Sequence, residues 1–258
     1  MQSTEHVVNS GWLQFQVVNT NLTSLEQQQL RQRDVHLGTF WHRVRSHLVQ
    51  EVLLAHRAQK VWDIGAGAGL LGRWLAQFGH TYSYFFVDSS EPLRSLLASE
   101  FGATGLRLIG SPVDDIDAVT LLDVLEHIDD DSAFLAEIVA GLRVGAIVIA
   151  TVPARQSLFS DWDRALGHYR RYDRVGAKNL FENSGLTVIR SAYIFPELIP
   201  LALLRKMILK GRSKESADFP ELPRLLDRMI EALCLVSLRF CRLWPTGTSL
   251  LIVGKREQ

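Results

Sequence analysis

The sequence predicts an α/β fold built on a doubly wound, parallel sheet. Three observations lead to this prediction. From residue 60 onward, short runs rich in β-branched and aromatic residues alternate with segments of helical periodicity, which is typical of parallel strands joined by helical crossovers. A glycine-rich turn follows the first of these runs. The chain has 258 residues, 47% of them hydrophobic, so it can close one sizeable core without a second domain.

The predicted elements follow in order. Residues 1–58 are polar and helical in pattern, with an amphipathic stretch at 40–54, and we expect a lid or a flank of the sheet. The predicted strands are 61–64, 84–87, 106–109, 118–122, 146–152, 186–193 and 249–255. The predicted helices are 70–78, 91–101, 131–142 and 174–183, the last one closed by Gly185. Residues 194–246 are too many for an ordinary loop, which predicts a helical insertion.

Charge and composition disfavour several classes of function. The chain has 28 Lys+Arg and 28 Asp+Glu, so no overall field attracts phosphates, and we expect no nucleic-acid partner. The first residues lack a basic stretch followed by an apolar one, and no uncharged apolar run approaches the ~20 residues of a membrane span. Cys234 and Cys241, if they share one helix, lie about 10 Å apart, too far for a disulfide. These features predict a cytoplasmic protein.

The turn after the first strand carries Gly65, Gly67 and Gly69 and leads into a helix. Glycines there let the backbone turn sharply and approach a ligand, and the helix N-terminus offers free N–H groups. The spacing is G-x-G-x-G, which differs from the dinucleotide-binding fingerprint. Asp63, just before the turn, would repel a pyrophosphate but attract an ammonium group. The turn therefore favours a cationic ligand.

A second acid, Asp88, ends the second predicted strand, 19 positions beyond Gly69. A carboxylate at this place can accept hydrogen bonds from both hydroxyls of a ribose. Either Asp63 or Asp88 alone could be a helix or turn cap. Two acids at this spacing around a glycine turn predict ligand binding instead.

Three segments, VWDIGAGAG, FFVDSS and LLDVLEHI, make the sequence similar to the class I S-adenosylmethionine-dependent methyltransferases, over about residues 40–195 and the last strand. The resemblance implies a Rossmann-like seven-stranded sheet of order 3-2-1-4-5-7-6 with strand seven antiparallel. The methyltransferase core is then 59–193 plus 247–258, and 194–246 is an insertion between strands six and seven.

The resemblance implies S-adenosylmethionine as the cofactor. Its methionine part is expected at residues 65–67 and its ribose at Asp88. Many members of the family have an acid after strand three that reads the adenine amino group. This chain has Gly110-Ser111-Pro112-Val113 there, so Ser111 or a backbone carbonyl would take that place. The complete set of predicted cofactor residues is Asp63, Gly65, Ala66, Gly67, Gly69, Asp88, Ser89, Ser111, Val113 and Asp123.

The fourth predicted strand leads into Asp123, Glu126 and His127. If this segment forms one helical turn, the three side chains share a face and could hold Mg²⁺, Mn²⁺ or Zn²⁺. Small-RNA 2′-O-methyltransferases and ubiquinone-type O-methyltransferases use a similar patch for a metal, whereas most proteins with a VLEH segment use it to orient the strand end and the cofactor. We predict no metal.

Residues 153–173, PARQSLFSDWDRALGHYRRYD, form a polar and aromatic loop after strand five, where function concentrates in such sheets. The loop resembles the D-R-x-L-G-H-x-R-R-Y stretch of a bacterial methyltransferase subgroup. We predict His168 as the general base, because imidazole titrates near working pH, with His127 and Tyr172 as further catalytic residues. The alternative for His168 is a structural prop for the helix that starts near residue 174.

Arginines lie next to the predicted cofactor site and in the loop of the predicted base, and each group of arginines has two interpretations. Arg170 and Arg171 either clamp a carboxylate or phosphate of the acceptor or form salt bridges with neighbouring aspartates. Trp41, Arg43 and Arg45 either close over the cofactor or belong to an ordinary amphipathic helix.

The insertion 194–246 carries two apolar helical patterns with interleaved basic residues. It could form a roof over the acceptor, a contact with the inner face of a membrane, a homodimer interface, or extra core. The first two options favour an apolar acceptor, so we predict O-methylation of a small hydrophobic or lipid-like molecule. The alternatives are a cofactor- or lipid-binding protein without turnover, and a nicotinamide-dependent oxidoreductase, which Asp63 and the glycine spacing disfavour.

Overall fold

The computed structural model describes residues 30, 38–78, 82–208, 222–241 and 243–257. The strands are β1 Lys60–Ile64, β2 Ser83–Val87, β3 Ala118–Leu122, β4 Ile147–Pro153, β5 Leu186–Ile194 and β6 Ser249–Arg256. The helices are α1 Phe40–His56, α2 Leu70–Ala76, α3 Glu91–Phe101, α4 Asp131–Gly141, α5 Asp161–Ala165, α6 Arg174–Asn183, α7 Ile199–Ile208 and α8 Arg224–Leu238. Most of the predicted N-terminal flank, and residues 209–221 of the predicted insertion, lie outside the described residues.

The described strands form one sheet in the order β2-β1-β3-β4-β6-β5. The first four are mutually parallel, and β6 runs antiparallel to β4 and β5. This confirms the Rossmann-like, doubly wound α/β class with an antiparallel last strand. Six strands are present in the described part of the chain, where the resemblance implied seven.

The predicted strand that does not form is the segment 106–109. It makes a single parallel bridge, between Leu106 and Phe86, and then turns at Gly110, whose φ of +85° is a conformation that favours glycine. Leu106 and Leu108 remain exposed, so this short segment has no continuous buried face to hold it as a strand. Without this strand, the predicted and observed orders agree.

Two hydrophobic layers cover the sheet. Alternate residues of β4 enter opposite layers, as expected for a strand buried on both faces. One layer is completed by α4 and α6, and the other by α1, α2 and α8. Helix α1 is therefore an integral part of a core layer. This matters for the site, because α1 reaches the edge at which the parallel strands end.

Both cysteines are buried and free, as expected, but they do not share a helix. Cys234 lies in α8, whereas Cys241 lies three residues beyond its end at Leu238. Among the described residues, no helix combines the length and the apolar character that crossing a membrane requires.

Arg43 links α1 to α8. Its side chain is 3% exposed; Nε donates to Glu231 Oε2 at 2.9 Å, and a terminal nitrogen pairs with Asp227.

We expect Arg43→Ala to lower the free energy of unfolding by about 3–5 kcal/mol, because two largely buried carboxylates lose their cation. Urea denaturation measures this. The matched control is Arg228→Ala, which removes an exposed partner of the same Glu231 and should cost at most about 1 kcal/mol. Equal losses in both variants would refute the prediction.

Candidate functional site

A cleft lies between the glycine turn and helix α1, at the edge where the parallel strands end. Residues 65–68 line one side, and His42, Arg45 and Ser46 of α1 line the other. Asp63 and Leu122, from the ends of β1 and β3, also line the cleft. In open α/β sheets, ligands bind outside the carboxyl ends of the strands, and this cleft is at that position.

The glycine turn has a conformation that requires its glycines. Gly65, Gly67 and Gly69 have φ values of +70°, +54° and +74°, a region that residues with a side chain rarely adopt. The N–H groups of Gly65 and Ala66 both donate to the carbonyl of Val87, at 2.8 and 3.1 Å. The turn is thereby fixed against the end of β2.

Two of these glycines also permit close packing. A Cβ on Gly65 would lie 2.6 Å from Cγ2 of Val124, and a Cβ on Gly69 would lie 2.6 Å from Cδ2 of Leu97. Gly69 therefore allows α2 to pack against α3. Although sequence reasoning assigned Gly69 to the cofactor, the contact that the structure shows is one between helices.

Asp88 is buried at the rim of the turn. One carboxylate oxygen accepts from the N–H of Gly67 at 2.8 Å, and the other accepts from the N–H of Ser90 at 2.9 Å. These bonds fix the carboxylate beside the glycine turn. Ser89 is exposed, and its carbonyl accepts from Arg94 at 2.8 Å.

Asp63 is also buried, and its two oxygens are engaged by neighbouring strands. The hydroxyl of Tyr84 donates to one oxygen and that of Thr120 to the other, each at 2.6 Å. Burial raises the pKa of Asp63 to about 6, although both hydrogen bonds oppose the shift. The carboxylate thus carries its negative charge at neutral pH in a place where a cation would stabilise it.

Arg45 and His42 bring α1 into the cleft. Arg45 forms an ion pair with Asp123, which follows β3 and has a left-handed φ of +57°. The hydroxyl of Thr151 donates to the same carboxylate at 3.2 Å. Burial, followed by the charges of Arg45 and Arg43, lowers the pKa of His42 to about 3, so this imidazole is neutral.

The predicted adenine-side residues lie in the turn after the 106–109 segment. The N–H of Ser111 donates to the carbonyl of Leu108 at 3.1 Å. Val113 is buried in the core layer of α4 and forms a bridge with Leu142. The role of both residues in binding the cofactor stays a prediction.

A polar cluster lies beyond Asp123, where the 3₁₀ turn Leu125–His127 meets the loop after β4. The rings of His127 and His168 are edge to face with centroids 4.7 Å apart. Nδ1 of His168 lies 3.1 Å from a carboxylate oxygen of Asp163. Asp163 is fully buried and also accepts from the N–H of Ser160 at 2.9 Å, at the start of α5. The sequence alone gives Asp163 no role beyond that of one of the aspartates near Arg170 and Arg171.

Both loop arginines are held in salt bridges. Arg171 donates to both oxygens of Asp163, at 2.7 and 3.1 Å, and Arg170 pairs with Asp131 at 3.0 Å. The hydroxyl of Tyr172 donates to Asp131 at 2.6 Å, and the ring is buried. The acceptor clamp considered for the two arginines therefore has no support from these contacts, and Tyr172 is engaged at the start of α4.

Comparison with known proteins identifies the family. A family model described as a methyltransferase domain matches residues 10–191, more than half of the chain. The chain belongs to the methyltransferase-domain family. It is accordingly an S-adenosylmethionine-dependent methyltransferase. A search of curated proteins finds no match.

Solved structures agree on the fold of this methyltransferase. A putative sarcosine dimethylglycine methyltransferase from Galdieria sulphuraria is 13% identical, with 83% of this chain and 85% of that chain covered and a TM-score of 0.55. An S-adenosylmethionine-dependent methyltransferase from Clostridium acetobutylicum is 12% identical, with coverages of 84% and 92% and a TM-score of 0.50. The [4+2]-cyclase SpnF is 13% identical, with coverages of 84% and 82% and a TM-score of 0.54. At these identities the likeness concerns the fold alone.

The cleft of the methyltransferase fits its cofactor chemically. The raised pKa of Asp63 marks a buried carboxylate beside a cleft that favours a positive charge, and the methionine part carries an ammonium group. Arg45 offers a cation for a carboxylate in the same cleft. Asp88 has the acceptor character that ribose hydroxyls require.

Several site residues were missed at the sequence level. Thr120 pairs in register with Asp63 across the β1–β3 ladder, so a signal for it existed once these strands were known to be neighbours. Tyr84 of β2 pairs in register with Val61, and only its long side chain reaches Asp63, two positions further along β1. His42 and Ser46 gave no sequence signal, because only the packing of α1 places them in the cleft.

We expect the affinity for S-adenosylmethionine to fall about tenfold between about pH 7 and pH 5, because Asp63 loses its charge as pH drops through its pKa of about 6. Isothermal titration calorimetry across this range measures the effect. Asp63→Asn should bind weakly, and its affinity should be flat over the same pH range. The exposed Asp114→Asn is the control and should keep the slope of the parent protein. An unchanged slope in Asp63→Asn would assign the pH dependence to another group.

Proposed function

We propose that the protein transfers a methyl group from S-adenosylmethionine to an oxygen of a small, hydrophobic or lipid-like acceptor, with His168 as the general base. The observation that carries this proposal is the His168–Asp163 pair at the strand edge that also holds the cofactor cleft. A hydroxyl must lose a proton as it is methylated, and a histidine oriented by a carboxylate is suited to accept it.

Asp163 supports this role by its own charge state. Burial alone would raise its pKa, but the bonds from His168 and Arg171 hold the pKa of Asp163 below its ordinary value. The carboxylate therefore remains ionised and accepts the Nδ1–H of His168. This fixes the tautomer and leaves the lone pair of Nε2 available for a proton.

His127 complements this base without adding charge. Burial, and then the neighbouring His168, lower the pKa of His127 to about 4, so its imidazole is neutral near pH 7. A second positive charge next to His168 would oppose proton transfer to it and repel the cationic sulfur of the methyl donor. We therefore assign His127 a packing role against His168. His168 alone accepts the proton of the acceptor hydroxyl.

The cofactor supplies a methyl group activated by the positive charge of its sulfur and leaves as S-adenosylhomocysteine. The chain contributes alignment and the base. Asp63, Arg45 and Asp88 hold the donor along the glycine turn, and His168 orients the acceptor hydroxyl and takes its proton at Nε2. Few groups need to touch the reacting atoms, which agrees with the small number of candidates.

The apolar character of the acceptor is supported by α7. Lys206 of this helix donates to the carbonyl of Ser157 at 2.5 Å, so α7 lies against the loop that carries His168. The leucines of α7 and its Met207 are largely exposed. An apolar helix beside the acceptor loop favours an apolar substrate.

A direct experiment identifies the acceptor. The purified protein is incubated with methyl-labelled cofactor and a fractionated extract of lipids and metabolites, and the product is found as the compound that gains about 14 Da, a CH₂ unit. Formation of S-adenosylhomocysteine is measured in parallel. Tight cofactor binding with no transfer to any fraction would favour the alternative of a binding protein without turnover.

A metal-dependent reaction is the second candidate, because Glu126, His127 and His168 place possible ligand atoms within 4.8 Å of one another. Asp123 is not in this group, since Arg45 holds it. Both carboxylate oxygens of Glu126 are buried without a hydrogen-bond partner among the described residues, and burial raises its pKa well above the ordinary value. We propose that Glu126 is protonated and neutral, which would account for its burial without a metal.

We accordingly expect that dialysis against EDTA leaves both cofactor affinity and methyl transfer unchanged. Calorimetry and product formation before and after dialysis measure this, with metal content followed by mass spectrometry. If activity were lost and then restored by Mn²⁺ or Zn²⁺, the cluster would be a metal centre and His168 could not act as the base.

A further inference from the structure

The outer face of α8 is apolar. Its side chains are spaced three or four residues apart and therefore form one stripe along the helix. Members of the stripe that are each more than half exposed are Leu225, Met229, Leu233, Val236 and, just beyond the helix, Phe240. A contiguous exposed stripe of this kind marks a contact surface.

The inner face of α8 holds its acids. Asp227 and Glu231 turn toward Arg43 of α1, and Cys234 and Leu238 enter the core. The inner face of the helix thus combines buried ion pairs with core residues, whereas the outer face is apolar although it meets solvent.

The charges that remain on the outside are positive. Within 224–240, the exposed charged side chains are those of Arg224, Arg228 and Arg239. At 100° per residue, Arg228 and Arg239 fall along one edge of the apolar stripe. An apolar face with a basic edge is the pattern of helices that lie in the plane of a membrane surface.

Helix α7 begins near α8, since Glu197, in the turn just before α7, accepts from the hydroxyl of Ser237 of α8 at 3.0 Å. Leu201, Leu203, Leu204 and Met207 are exposed on α7, next to the loop of the proposed base. We propose that the outer apolar face, made of these residues and the α8 stripe, binds the surface of a bilayer that contains anionic lipids. The proposal rests on the proposed function for one point only, that the lipid-like acceptor is drawn from this bilayer.

Charge complementarity favours a bilayer over a second copy of the chain. Pairing two copies through the α8 stripe would bring Arg224 and Arg239 of both into one interface. The two acids of α8, Asp227 and Glu231, are already paired with Arg43, and Glu231 with Arg228 as well. Anionic headgroups supply the negative charge that would pair with these arginines. The proposed contact is one of helices that lie in the plane of the bilayer surface.

The test is cosedimentation of the full chain with vesicles of phosphatidylcholine alone and of phosphatidylcholine with phosphatidylglycerol. We expect binding to the anionic vesicles to be about tenfold tighter or more, and to weaken as salt is raised. The double variant Met229→Glu/Leu233→Glu should lose about tenfold or more of that binding. The control Val175→Glu introduces one such charge at an exposed apolar position on α6 and should bind as the parent does.

Equal binding to both vesicle types, no binding, or full binding by the double variant would each overturn the proposal. A dimer seen by light scattering that the double variant dissociates, without vesicle binding, would instead assign the face to self-association. Cofactor titration of all variants checks that they are folded. Vesicle binding without transfer to any lipid would leave this surface standing and count against the proposed function alone.

Discussion

Asp88→Asn is expected to lower the affinity for S-adenosylmethionine at least about hundredfold. A carboxylate that accepts two charge-assisted hydrogen bonds from ribose gains about 1.5–3 kcal/mol from each. The amide keeps the volume of the side chain but replaces one acceptor by a donor, which would face a donor hydroxyl. Because the N–H groups of Gly67 and Ser90 hold the side chain in place, it cannot turn away at little cost.

Calorimetry with S-adenosylmethionine and with S-adenosylhomocysteine measures this loss, which should be similar for the two compounds since they share the ribose. Glu91→Gln, an exposed acid in the first turn of α3, is the matched control and should bind normally. Normal binding by Asp88→Asn would remove Asp88 from the cofactor site. It would leave the glycine turn and Asp63 as the sole support for the position of the ligand.

Local patterns were sufficient to predict most of the fold. The strands that became β1, β3 and β4 are short apolar runs that end in a turn or a polar residue, and alternation with helices fixes their parallel arrangement. Helix α1 was predicted from its periodicity alone, and the structure extends it by two residues to His56. The prediction of a strand at 106–109 was wrong. Composition alone does not tell whether a short apolar run lies beside a strand with a free edge and has a face that is buried.

The site was predictable where it depends on one segment and unpredictable where it depends on two. The glycine turn is encoded by its own residues. The pairing of Arg45 with Asp123 joins positions 78 residues apart, and the inward turn of the α8 acids follows from the packing of that helix on α1. The expectation that Asp123, Glu126 and His127 share a face fails because Asp123 takes a left-handed conformation and turns to Arg45.

The fold does not by itself decide the reaction. The [4+2]-cyclase SpnF has a similar fold, with a TM-score of 0.54, and a name that denotes a different chemistry. The choice between methyl transfer to oxygen and transfer to another atom must come from the polar cluster at the strand edge. The base is therefore the group whose removal is most informative.

His168→Ala is expected to lower kcat by about 10²–10⁴-fold, the usual contribution of a general base, with cofactor affinity unchanged. The rate of S-adenosylhomocysteine formation with the active extract fraction measures kcat. The control is His56→Ala, which removes an exposed histidine at the end of α1. Asp163→Asn should lower kcat as well, since it removes the group that orients His168.

Chemical rescue separates a base from a structural prop. Imidazole added to His168→Ala should restore part of kcat, because a small base can enter the space left by the side chain and take the hydroxyl proton. The same addition should not help Asp163→Asn, whose histidine is present but wrongly oriented. If His168→Ala kept its full rate, or lost it with no response to imidazole while cofactor binding fell in parallel, His168 would be a support for the loop and the proton would have to leave by another route.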